Sequence, residues 1–206
     1  MSKDQTIEQT NKLKKASADD GIRNPGGAGI AAFSMFYLAF VPVTSWLSRT
    51  EMLSTLVDGT VRFIPGYASS SGRVIPALST LYIFWTFGAS GAVSAAGQAM
   101  ARPEGLDNDH PRKHINSMGG LPLRMRSAHY GLMENFPAFA LAAALAQLLA
   151  PKNREITNLL GYHVIAKLLI YYPCYLLGIA PPRTLSHLSA NAAIINVCWR
   201  LAIGAQ

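Results

Sequence analysis

The chain has 206 residues, of which 50% are hydrophobic and only 14% charged, against about 25% charged in an ordinary soluble domain. Its net charge of +7 comes without a basic stripe interleaved with aromatics, which argues against nucleic-acid binding. The two cysteines, Cys174 and Cys198, sit in apolar runs with no Cys/His cluster near them, so neither a disulfide framework nor a metal site is expected.

The first 26 residues mix Lys3, Lys12, Lys14 and Lys15 with Asp4, Glu8, Asp19 and Asp20. They read as a polar tail, not a secretory signal or an Arg-rich transit peptide. Five segments then approach the roughly 20 apolar residues that a membrane-spanning helix needs: 28–47, 76–100, 126–150, 156–178 and 185–203. Pro42 is expected to kink the first, and Pro76 suits the opening turn of the second. Between these two, residues 48–61 have moderate amphipathic character and read as an interfacial helix, followed by a Pro/Gly/Ser-rich loop to residue 75. The links 151–155 and 179–184 allow only tight turns, so the last three helices form an up-down bundle. With five spans, eleven Lys and Arg lie on the side of the N-terminus and the 102–126 loop, and five on the other. Positive-inside logic therefore places the N-terminus on the cytoplasmic or equivalent side of a multi-pass membrane protein. The second span carries Gly88, Ala92 and Ala96 on one face, with Gly91, Ala95 and Ala99 beside it, a spacing that lets helix backbones approach in lipid.

Within this apolar frame a few polar residues need explaining. Glu134 lies two turns inside the third span, where an ionisable group costs about 2.5–3.5 kcal/mol on insertion scales and should face protein or a polar cavity. It either pairs with a basic residue of another helix or lines a functional pocket. On the fourth span His163, Lys167, Tyr171 and Tyr175 recur every four residues as one slowly drifting stripe. Lys167 needs a carboxylate or a hydrated cavity, and the tyrosines either pack or line a site. A polar seam between the third and fourth spans is the economical picture. Arg183 opens the last span and Arg102 closes the second at the same end. They serve as interfacial anchors, or as guanidinium groups that bind the carboxylates of an anionic ligand. Asn191 and Asn196 on the last span read as interhelical hydrogen-bond glue.

Two runs carry a family resemblance. Ala128, His129, Glu134, Asn135, Phe136, Pro137 and Phe139 look like the hallmark second helix of the MAPEG superfamily (membrane-associated proteins in eicosanoid and glutathione metabolism). The run from Tyr171 through Pro173, Tyr175, Gly178 and Pro181 to Arg183 is similar to that family's third-helix ending, tight turn and following arginine. The resemblance covers about residues 76–203. It implies an all-α membrane bundle, with a four-helix core over 76–206, an additional transmembrane helix and amphipathic or loop segment over 27–75, and a polar tail over 1–26. It also implies a homotrimer that binds glutathione as co-substrate between neighbouring subunits. In that scheme Arg183 stabilises the glutathione thiolate, while Glu134, Tyr171 and Tyr175, with Arg102 and Lys167, contact the peptide. The chain departs from the family at three positions. Ser127 stands where an arginine is usual, Gly131 where an asparagine is usual, and Leu168 replaces an arginine. Two functions follow as expectations: a glutathione-dependent transferase or peroxidase acting on a lipophilic substrate, or a non-catalytic accessory subunit of a larger membrane complex.

Overall fold

A computed structural model describes residues 7–8, 11–12, 15, 19, 21, 25–67 and 72–204. The expected polar tail therefore lies largely outside the described residues, as do positions 68–71 of the expected loop. The described residues are helical, with no strand among them. Two compact units divide the chain, Met1–Phe36 and Tyr37–Gln206. In the first, a 3-10 helix over Pro25–Phe33 leads into helix α1, Ser34–Leu47, whose last turns belong to the second.

The second unit is an all-α membrane bundle. After α1 come α2 (Glu51–Val61), α3 (Val74–Met100), α4 (Gly120–Leu149), α5 (Arg154–Leu177) and α6 (Ala180–Ala202). Four stretches, Gly29–Leu47, Val74–Met100, Gly120–Leu149 and Arg154–Leu177, are long and apolar enough to cross a bilayer. The fifth expected span, α6, has the length but not the hydropathy, because Arg183, His187, Asn191, Asn196 and Arg200 interrupt it. It solves that problem by turning polar groups inward: Asn196 donates to Ser45 Oγ at 2.8 Å, and Arg200 pairs with Glu155.

Helix α2 is capped by Thr50, whose hydroxyl accepts from the Leu53 amide. Its residues Leu53, Val57 and Val61 recur every four positions and are all buried, each contributing about 1.5–3 kcal/mol by removal from water. The amphipathic stripe thus faces the protein's own core. Gly161 makes this possible, since a Cβ there would stand 2.3 Å from Val57 Cγ2. Polar side chains fasten the same contact: Arg154 grips the Asp58 carboxylate at 2.7 and 2.9 Å, and Asn158 donates to the Ser48 carbonyl at 2.8 Å.

Helices α3 and α4 approach closely at Gly97, where an added Cβ would meet Met125 Cβ and the Pro122 carbonyl at 3.0 Å. Over the last turns of α3, Ser90–Met100, the buried residues are Ser90, Ser94 and Gly97. Gly88, Ala92 and Ala96 are exposed on the outer face instead. Both α3 and α5 widen into a π-turn, at Phe84–Ala89 and Ala166–Tyr171.

Candidate functional site

The stripe on α5 finds its polar partners on α6, while its rings also pack on α4, where Phe139 stacks on His163 at 5.3 Å. Helices α5 and α6 run antiparallel, and their partners descend together. His163 Nδ1 lies 2.9 Å from the Ala190 carbonyl, Lys167 Nζ 3.0 Å from His187 Nδ1, and the Tyr175 ring lies under the Arg183 guanidinium at 4.7 Å. The polar partnerships of the stripe therefore run along α6, with α4 packed against His163 and Tyr171 on the other side. The π-turn supplies the reason. Residues four apart drift by about 40° along a regular α-helix, and the wider turn at 166–171 rotates the chain less per residue. The drift is cancelled, and the stripe stays on the α6 side.

Donor and acceptor roles follow from the geometry. The Ala190 carbonyl only accepts, so His163 Nδ1 carries the proton and Nε2 accepts from the Tyr82 hydroxyl, 3.3 Å away. Lys167 only donates, so His187 Nδ1 accepts and its Nε2–H points at the Asn191 side chain at 3.2 Å. That bond requires the Asn191 amide to present its oxygen. Lys167 and His163 are both 0% exposed. The Lys167 ammonium also lies over the Tyr171 ring at 4.4 Å, a cation–π contact that offsets part of the cost of desolvation. In place of the carboxylate or hydrated cavity expected for it, Lys167 thus has the His187 imidazole.

Tyr171 is buried and joins the two halves of the arrangement. Its ring lies 5.6 Å from those of both Tyr175 and His187. Its hydroxyl packs on Gly131 of α4, where a Cβ would come within 2.0 Å of it. Glu134, one turn further along α4, is exposed on the outer flank of the bundle, and no ion pair reaches it among the described residues. Arg183, Tyr175, Tyr171 and Lys167 therefore form one connected stack. Glu134 borders it across Gly131.

Arg102 belongs to a different cluster. Its guanidinium goes to Glu104 at 3.6 Å and Asp107 at 3.7 Å. The Asp107 carboxylate also accepts from the His110 amide at 2.9 Å and meets His114 Nε2 at 3.2 Å. The His110 amide, then His114 and the nearby cations hold the Asp107 carboxyl below its ordinary range. This cluster fastens the 101–119 connection.

Two further arginines open α4, and the first, which sequence reasoning did not single out, reaches the end of α5. Arg124 Nε donates to the Leu176 carbonyl at 2.8 Å, satisfying a helix C-terminus where Gly178 turns the chain with φ +75°. Arg126 stacks on the Tyr130 ring at 4.2 Å, and its Nε is buried without a hydrogen-bond partner. The signal available in the sequence was the run of arginines opening the third span. His129 sits one turn on, with Nδ1 2.9 Å from Ser90 Oγ, and ties α4 to α3.

The model of the MAPEG family matches residues 75–203, the whole of α4, α5 and α6 with nearly all of α3. The chain matches no curated protein and no solved structure.

Proposed function

Since the chain belongs to the MAPEG family, we propose that it binds glutathione on the outer flank of the bundle and transfers it to a lipophilic electrophile. The observation that carries this reading is the Arg183 guanidinium seated 4.7 Å over the Tyr175 ring. A cation held by an aromatic face keeps its edge free for an anion. Placed beside a thiol, it raises the thiolate fraction at neutral pH. The tripeptide also brings two carboxylates and an ammonium. Arg126, whose buried Nε lacks a partner, suits a carboxylate, and the exposed Glu134 suits the ammonium. Tyr171 and Tyr175 form the apolar wall between them. Deprotonation releases the thiol proton to solvent. The sulfur then forms the new bond to carbon of a substrate arriving through the bilayer, as the bond from that carbon to its leaving group breaks and the departing anion takes a proton from solvent. The outward Gly88, Ala92 and Ala96 face suits close packing against a second copy, so that the flank is covered in a homotrimer. Arg102, held by Asp107, and Lys167, held by His187, act at a distance by fixing the loop and the tyrosine. The basic end of the bundle, with the N-terminus, faces the cytoplasm or its equivalent.

A specific observation favours the second reading, a non-catalytic accessory subunit. The Tyr171 hydroxyl fills the space over Gly131 that an asparagine side chain would occupy. Calorimetric titration of glutathione into the full chain in mild detergent separates the two. The transferase reading expects saturable binding, weakened about tenfold or more by Arg183→Ala and by Glu134→Gln, the range of one charge-assisted contact. A folded protein that takes up no glutathione at millimolar concentration leaves the accessory subunit standing.

A further inference from the structure

A second cavity lies away from the tyrosine stack, where the end of α2 meets α3 and α5. Its volume is about 530 Å³, within the range of about 300–1,000 Å³ usual for ligand pockets. Phe63 and Ile64 close one side, Phe84 and Trp85 the second, Leu168 and Leu169 the third. Both π-turns contribute to it, Phe84–Ala89 from α3 and Ala166–Tyr171 from α5. Such turns are frequent at functional positions. Residues 60–65 lie outside the stretch shared with the family, so the cavity is built partly from what this chain adds.

The chemistry of the wall defines the occupant. Its two hydroxyls are already used: Thr60 donates to the Leu56 carbonyl at 2.8 Å and Thr80 to the Pro76 carbonyl at 3.0 Å. Apart from Trp85 Nε1, which is buried without a hydrogen-bond partner, the wall side chains hold no spare donor, so a largely polar occupant would lose its hydration with little return. The rim is apolar as well, with Phe63 82%, Phe84 64% and Leu169 68% exposed. The cavity therefore opens to hydrocarbon and accepts hydrocarbon. In the chain between the wall residues Thr60 and Phe63, Arg62 caps the end of α2, exposed and with no ion pair among the described residues. A guanidinium carried one residue along the chain from the Phe63 wall is complementary to a phosphate carried on an acyl chain. We propose that this cavity holds one acyl chain of an anionic phospholipid, with the headgroup phosphate on Arg62.

Trp85 in the wall provides the probe. In a full-length variant carrying Trp46→Phe and Trp199→Phe, Trp85 is the sole indole. Phosphatidylglycerol with a dibrominated acyl chain, added to the protein in mild detergent, is expected to quench it saturably at near-equimolar ratio. Phosphatidylcholine bearing the same chain should bind about fivefold more weakly, the factor one basic group supplies at an anionic lipid. Arg62→Gln should abolish that preference while circular dichroism stays unchanged. Thr80→Phe, an exposed position that fills the slot, should remove the saturable phase for both lipids. Quenching that rises linearly with lipid content and ignores Thr80→Phe would overturn the proposal, as would equal quenching by the two headgroups.

Discussion

Tyr171 shows how much a single side chain decides here. It is buried against Gly131, lies under the Lys167 ammonium and touches the rings of Tyr175 and His187. A methyl group at position 131 would collide with its hydroxyl. Gly131→Ala is therefore expected to cost about 1–3 kcal/mol, the usual penalty for overpacking. Adding Tyr171→Phe should recover a large part of that loss by removing the colliding oxygen. Thermal denaturation of the single and double variants in detergent measures the coupling; additive losses would mean that α5 does not hold the tyrosine over the glycine. Asp107 gives a pH prediction at the same scale. Its carboxyl is held below its ordinary range by the His110 amide first and by His114 and Arg102 after it. A depressed carboxyl contributes stability above its unfolded-state value and loses it as pH falls through the folded one. Hydrogen-exchange protection of residues 107–114 should therefore persist at pH 5 and fall only on the acid side of the carboxylate range.

Among the elements, α6 and α2 behave least as composition suggests. Helix α6 is too polar to rank with the four apolar spans, yet its polar groups are buried against α5 and the end of α1. Asn196 is 2% exposed; it donates to Thr44 and Ser45 and accepts from Arg200. Its replacement by alanine takes one partner each from Thr44, Ser45 and Arg200, of which Thr44 keeps the Val41 carbonyl and Arg200 keeps Glu155, at a total cost of about 1–3 kcal/mol. Exchange of the amides at 44–50 should then accelerate ahead of the rest of the bundle. Uniform acceleration would show that the end of α1 is not separately tethered. Helix α2 reads as amphipathic from its spacing, and that much was legible. What its apolar side would cover was not, because a stripe of Leu53, Val57 and Val61 fits a bilayer surface as well as a protein groove. Gly161 decided the matter by leaving α5 without a side chain at the crossing.

For the whole molecule, the outward face of α3 is the feature with consequences. Gly88, Ala92 and Ala96 are exposed, while the internal contact to α4 uses Ser90, Ser94 and Gly97. Small residues left outside a bundle permit close approach of another helix in lipid. Ala92→Trp should therefore reduce an assembled form to single chains in native mass spectra without loss of helicity; an unchanged mass would place any contact elsewhere.

Composition and hydropathy alone established an all-α membrane bundle, because a backbone in hydrocarbon can be satisfied only by helices when no alternating strand pattern is present. Two motifs, around Glu134 and from Tyr171 to Arg183, established the family. Side-chain partnership lay beyond them. A stripe spaced every four residues names a face and not its neighbour, and the π-turn at Ala166–Tyr171 kept that face toward α6. Lys167 met His187 in place of a carboxylate, and Arg102 turned to Asp107. Glu134 stayed on the outer flank. Spacing along one helix carries no information on which helix stands opposite; packing at Gly131, Gly161 and Gly97 supplied it.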